Sequence, residues 1–168
     1  MKELIVIRHA KSDWGHEGLR DVDRCLSERG YADAYAMSEW YNSKKNKASH
    51  IMSSTATRAL STALIFARTL KIPVDRIRLE PRIYEASAEE LVRVLHELED
   101  TLGSLMLFGH NPGFTNLLNR FARDWQIDNL PTCGLVSLGF KTKSWQKLAE
   151  ASAEVNFSAF PKDIRSHS

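Results

Sequence analysis

Leu4-Ile5-Val6-Ile7-Arg8-His9-Ala10 reads as a strand that stops at a cation and an imidazole. Four consecutive aliphatic residues without polar alternation fit a strand covered on both faces, as the strands of parallel sheets are. The carboxyl ends of such strands form the rim on which open α/β sheets hold ligands. At that end Arg8 offers a fixed guanidinium and His9 a nitrogen nucleophile, which together suit phosphoryl chemistry. Taken alone, the tripeptide Arg8-His9-Ala10 fits a surface arginine and a satisfied loop histidine better than a phosphate site, so the rest of the chain decides.

Outward from this strand, apolar runs alternate with stretches of helical period. That pattern predicts an α/β fold of βαβ units around a mostly parallel central sheet flanked by helices. After a polar loop, Ser27 is placed to cap a helix running to about Ser43, with Leu26 and Tyr31 at hydrophobic-staple positions. Residues 49–53 read as a short second strand. Ala59, Ala63, Phe66, Ala67 and Leu70 mark a helix from about Thr57 to Leu70, closed by Pro73. Arg78-Leu79-Glu80 is a weaker strand. Ser87-Ala88-Glu89-Glu90 is a capping box that opens a helix carrying Leu91, Val94, Leu95 and Leu98 on one face. Residues 104–108 form a clear buried strand, followed by Gly109-His110-Asn111-Pro112-Gly113. There Asn111 is expected to cap, and Pro112 to enter the first turn of, a helix reaching about Arg123. Residues 135–140 and 155–160 read as late strands, the second at an edge because Pro161 follows it. No repeat or linker divides the chain, and residues 1–168 are expected to form one catalytic domain.

A chain of 168 residues can bury about 68–70% of its unfolded surface, so it needs no disulfide or metal staple. With 43% apolar and 26% charged residues and a net charge of +2, the composition is that of an ordinary soluble protein. It implies neither a nucleic-acid nor a membrane partner. The first apolar run is only four residues, too short for a signal-peptide core, and the expected compartment is the cytoplasm. Cys25 and Cys133 lack a close CxxC spacing and are expected to be reduced thiols.

Four strand ends carry reactive residue types: Arg8-His9, Ser53-Ser54 leading to Arg58, Tyr84-Glu85, and Gly109-His110. In a parallel sheet these ends share one rim, so His9 and His110 can meet in one pocket. Two arginines and two histidines match the charge and donor geometry of a phosphate. A neutral His9 can attack phosphorus in line while His110, Arg8 and Arg58 stabilise the equatorial oxygens. No cofactor is called for, and two arginines beside two histidines would repel a divalent metal. Lys11, Ser12 and Arg24 flank the pocket and suit either a contact with the phosphate or its carrier, or a surface role. Trp14 lies in the same loop. His16, His50, His96 and His167 read as solvated or structural, and Lys44, Lys45 and Lys47 as a solvated helix end.

The chain resembles the histidine phosphatase superfamily, and within it the short phosphohistidine phosphatase branch. The resemblance is carried by Arg8-His9-Ala10-Lys11-Ser12, Asp21-Val22-Asp23-Arg24-Cys25-Leu26-Ser27-Glu28-Arg29-Gly30, Ser53-Ser54 with Arg58-Ala59 and Thr62-Ala63, Tyr84-Glu85-Ala86-Ser87, Gly109-His110-Asn111-Pro112-Gly113, and Leu130-Pro131-Thr132-Cys133-Gly134. It implies a phosphoglycerate mutase-like three-layer sandwich, with His9 the nucleophile that becomes phosphohistidine and Arg8, Arg58 and His110 completing the phosphate pocket. It also implies Glu85, or less readily Glu80, as proton donor, although the phosphohistidine branch dispenses with a dedicated acid. A phosphoramidate P–N bond is already labile and its leaving group needs little help. Cys25 departs from the branch, where a proline is usual, and implies a local loop change only.

The favoured expectation is a metal-independent phosphoric monoester or phosphoramidate hydrolase acting on protein phosphohistidine. Two alternatives are a phosphatase of a small phosphorylated metabolite or phosphopeptide, and a non-catalytic phosphate-binding module. The superfamily's longer members use insertions to cover a small substrate, whereas the connections here are short.

Overall fold

A computed structural model describes residues 1–45 and 47–165; His167 lies outside them. Its centre is a six-stranded sheet of β1 (Lys2–Arg8), β2 (Ile51–Ser53), β3 (Ile77–Leu79), β4 (Ser104–Gly109), β5 (Leu135–Phe140) and β6 (Ala153–Ala159), in the order β3-β2-β4-β1-β5-β6. β1 pairs in parallel with β4, and β2 with both β3 and β4. β5 is antiparallel to β1 and β6, so it alone runs against the other strands. The mostly parallel sheet expected from the sequence is therefore present, with β6 at its edge as Pro161 implied.

β1 lies inside the sheet, and Leu4, Ile5, Val6 and Ile7 are each 0% exposed. Alternation along the strand sends Leu4 and Val6 into one core and Ile5 and Ile7 into the other. In β4, Leu105 and Leu107 divide from Met106 and Phe108 in the same way. Two cores explain an apolar run without polar alternation.

On one face lie α1 (Glu28–Asn42), α2 (Thr57–Leu70) and α5 (Pro161–Arg165), contributing Met37, Tyr41, Phe66 and Ile164. On the other lie α3 (Ala88–His96), α4 (Gly113–Phe121) and a 3-10 segment at Trp145–Glu150, contributing Leu91, Leu95, Phe114, Leu117 and Trp145. The three layers match the expected sandwich. No helix among the described residues is long and apolar enough to cross a membrane.

Ser27 caps α1 by accepting the Gly30 N–H at 3.1 Å, and both bonds of the Ser87–Glu90 capping box form at α3. Tyr31 is 44% exposed while Leu26 is buried, so the staple expected between them contributes little. Pro112 stands before α4 instead of in its first turn, after a cis peptide bond from Asn111. Asn111 still caps this helix, its Oδ1 accepting the Thr115 N–H at 3.1 Å.

The start of α1 is fastened to the segment that follows His9. The Lys11 carbonyl accepts the Ser27 N–H at 2.9 Å and the Ser27 hydroxyl at 3.2 Å. A Cβ at Gly30 would stand 2.1 Å from that carbonyl oxygen, so only glycine lets helix and loop approach this closely. Gly30→Ala is expected to destabilise the fold by about 1–3 kcal/mol in urea unfolding. An unchanged midpoint would show that the contact does not constrain the loop.

Candidate active site

The chain around His9 is pinned from both sides. The His9 N–H donates to the Gly109 carbonyl, and the Cys133 N–H to the carbonyls of Arg8 and His9, all at 3.0 Å. The Ala10 N–H donates to Thr62 Oγ1 at 3.0 Å, and that hydroxyl donates to the Arg58 carbonyl at 2.8 Å. Strand order and these bonds bring Arg8 and His9 from β1, Arg58 from the first turn of α2, and His110 from the end of β4 to one cavity of about 480 Å³. Lys11, Ser12, Trp14 and Arg24 line it too. A second cavity of about 460 Å³ lies between the start of β4 and the segment before β2, and it contains none of these groups.

Each of the four residues is anchored by at least one hydrogen bond. His9 Nδ1 lies 2.6 Å from the Ala10 carbonyl, which can only accept, so Nδ1 carries the proton and Nε2 the lone pair. His110 Nε2 lies 2.8 Å from Ser54 Oγ, which already accepts the Ala56 N–H at 3.1 Å. When the Ser54 hydroxyl donates its proton to Nε2, His110 Nδ1 carries the ring proton and is a donor. Arg8 Nη1 donates to the Leu130 carbonyl at 3.0 Å. Arg58 donates Nη1 to the Asp21 carbonyl at 2.7 Å and Nη2 to Asp21 Oδ2 at 3.0 Å. Arg8 Nε, Arg58 Nε and His110 Nδ1 are three of the four buried side-chain nitrogens without a hydrogen-bond partner among the described residues. A buried unpaired polar group costs about 1–3 kcal/mol, a cost that a hydrogen-bonding oxyanion relieves wherever it reaches such a donor.

The histidine rings stand 5.3 Å apart. Burial foremost, then Arg58, Arg8 and Arg24, pushes the His9 pKa down to about 4, opposed by the Ala10 hydrogen bond. Burial, His9 and Arg58 push His110 down to about 3. Both imidazoles are neutral at pH 7, so the lone pair on His9 Nε2 is available to attack an electrophile.

Among the flanking candidates, Ser12 and Arg24 reach the cavity as a pair, with Arg24 Nη1 donating to Ser12 Oγ at 2.7 Å. Glu85 does not join them. It is exposed, sits in a left-handed turn at φ 60°, and is absent from the lining. Glu80 is buried but bound by Arg82 and Arg78, chiefly by the Arg82 hydrogen bond, which holds its carboxyl down at about 2.

Two partners were named in the sequence without a role. Ser54 orients His110, and Asp21 receives the Tyr84 hydroxyl together with the guanidiniums of Arg58 and Arg24. Those donors, Tyr84 first, hold the Asp21 carboxyl well below the usual range. Cys25 and Cys133 are free thiols, the second buried. Among the described residues no group of three or more His, Cys, Asp or Glu is placed to hold a metal ion.

The model of the histidine phosphatase superfamily (branch 1) matches residues 4–100. The chain belongs to the histidine phosphatase superfamily. An uncharacterized chloroplastic protein of Arabidopsis thaliana is 28% identical over 158 residues, covering 87% of this chain and 70% of that protein. A crystal structure of a protein provisionally assigned as the phosphohistidine phosphatase SixA of Agrobacterium tumefaciens superposes with a TM-score of 0.81 at 25% identity, over 95% of this chain and 98% of that one. The protein histidine phosphatase SixA complexed with tungstate shares the fold, with a TM-score of 0.82 at 16% identity over 96% and 99% of the two chains. As a superfamily member the chain is a phosphatase, and its fold is that of the SixA proteins.

Both histidines titrate lower in the folded protein than the ordinary value of about 6.5, so the native form binds fewer protons than the unfolded chain between these limits. Their contribution to stability is complete above pH 6.5 and is lost as pH falls toward 4. Urea unfolding is expected to show a smaller stability loss between pH 7 and pH 5 in the His9→Ala/His110→Ala variant than in the wild type. Equal losses would contradict burial as neutral imidazoles.

Proposed function

We propose that residues 1–168 act as one catalytic domain, a metal-independent phosphatase with a phosphohistidine intermediate on His9 and protein phosphohistidine as its favoured substrate. The observation that carries this reading is the set of half-anchored groups. His9, whose Nε2 carries a lone pair, lines one cavity with Arg8, Arg58 and His110, each of which keeps a buried nitrogen without a hydrogen-bond partner among the described residues. In the proposed first step His9 Nε2 attacks phosphorus in line, a P–N bond forms and the bond to the leaving group breaks. Arg8, Arg58 and the His110 Nδ1–H hold the equatorial oxygens, where transition-state charge collects. Water then attacks the phosphohistidine, inorganic phosphate leaves and the imidazole is restored.

The placement of the acids supports the choice of substrate. Glu85 lies off the lining and Glu80 is committed to two arginines, so among the described residues no carboxylic acid lines the cavity of His9 to protonate an alkoxide. An imidazole leaving from a phosphoramidate needs that proton least. The likeness to SixA proteins points the same way, and the tungstate bound by one of them is a tetrahedral oxyanion like phosphate. A cavity of about 480 Å³ is also large enough for a small phosphorylated metabolite, which is the competing substrate class.

Comparing kcat/KM on a phosphohistidine protein, free phosphohistidine, phosphotyrosine and sugar phosphates separates these classes. The phosphohistidine protein is expected to lead by about tenfold or more, and a sugar phosphate in first place would replace the reading. Activity is expected to survive a chelator; loss restored by a divalent ion would overturn the metal-free mechanism. Glu85→Gln is expected to slow phosphohistidine and phenyl phosphate by no more than about twofold, whereas a selective loss on the ester would return Glu85 to the role of acid.

A further inference from the structure

Trp14 lines the cavity while 77% of its surface faces solvent. A bare indole in water is unfavourable, and an unsupported one would move among rotamers. This ring is supported from one side. The guanidinium carbon of Arg24 lies 3.3 Å from its centroid. Arg24 is itself fixed, donating Nε to Asp21 Oδ1 at 3.0 Å and Nη1 to Ser12 Oγ at 2.7 Å, with only 11% of its side chain exposed. Asp21 also accepts from Arg58. The orientation of the indole is therefore set by the same carboxylate that positions an arginine of the phosphate cluster. One face of the ring is covered by a cation, the high exposure leaves the other face uncovered, and the residue lines the same cavity as His9.

We propose that the free face of Trp14 is a specificity-determining surface that stacks the planar ring of the leaving group. On this account the site selects phosphoryl groups carried on an aromatic ring, the imidazole of phosphohistidine first and a phenol second, over groups carried on an aliphatic chain. The inference rests on the reading that the phosphoryl group is transferred to His9. The Arg24 cation beneath the indole takes up the negative face of the ring on that side and disfavours a second cation above, so the partner is a neutral ring. Offset stacking of such a pair corresponds to about three- to tenfold in binding. Its effect falls on KM more than on kcat, because the stack lies beyond the reacting atoms.

The test uses two matched pairs of leaving groups, with and without a ring: phosphohistidine against phosphoramidate, and phenyl phosphate against methyl phosphate. Trp14→Ala is expected to lower the ring-to-ringless ratio of kcat/KM by about three- to tenfold in each pair, through KM, and Trp14→Phe to restore most of it. Trp14→Leu keeps an apolar side chain without a π face and gives the same reading if the alanine variant is unstable. An unchanged ratio in both pairs overturns the proposal. If phosphohistidine is not hydrolysed but the phenyl-to-methyl ratio responds to Trp14, the substrate reading fails and the stacking surface stands.

Discussion

His9 donates its Nδ1 proton to the carbonyl of the next residue, Ala10, and the chemistry of the site depends on that bond. It fixes the tautomer, and so decides which nitrogen carries a lone pair into the cavity. The bond is only as firm as the Ala10 peptide, which Thr62 holds by the Ala10 N–H while donating to the Arg58 carbonyl. One threonine on α2 thus couples the aim of the imidazole to the position of an arginine across the cavity. The backbone of Arg8 and His9 is bound in turn by Gly109 on one side and Cys133 on the other. His9 is thus held between the end of β4, the segment that leads into β5 and α2.

The charges are arranged around a neutral centre. Burial first, and then Arg58, Arg8 and Arg24, depress the His9 pKa, so the imidazole stays uncharged. Three cations around one cavity would repel one another, and Asp21 answers two of them directly. Asp21 fills the Nη groups of Arg58 and leaves Nε free, as the Leu130 carbonyl does for one Nη of Arg8 and Ser54 for one ring nitrogen of His110. Groups anchored at one edge and open at the other are already oriented, so little reorganisation is left to the moment of reaction.

The parts legible in the sequence were those whose signal is local. Leu4–Ile7 revealed a doubly covered strand because neither face of β1 meets water. The α2 helix matched residue for residue because its alanines and Phe66 repeat with a single clear period. Strand-end placement then brought Arg8, His9, Arg58 and His110 together, since parallel topology puts all those ends on one rim. β2 and β3 were harder to bound because three residues carry almost no periodicity. Asp21 and Ser54 were named without a role because their partners Arg58 and His110 lie 37 and 56 positions away, and polar residues in loops show no period. Glu85 stood at the right strand end, but the left-handed turn there leaves it exposed and off the lining, and its sequence neighbours did not reveal that turn.

The most direct measurement is the location of the phosphoryl group in the covalent intermediate. A radiolabelled phosphohistidine protein is mixed with enzyme, the reaction is stopped in alkaline denaturant, where phosphohistidine survives, and the adduct is mapped by peptide analysis and phosphorus NMR. The account predicts label on Nε2 of His9 and none with His9→Ala. Label on Nδ1 or on His110, or undiminished turnover by His9→Ala, would contradict it.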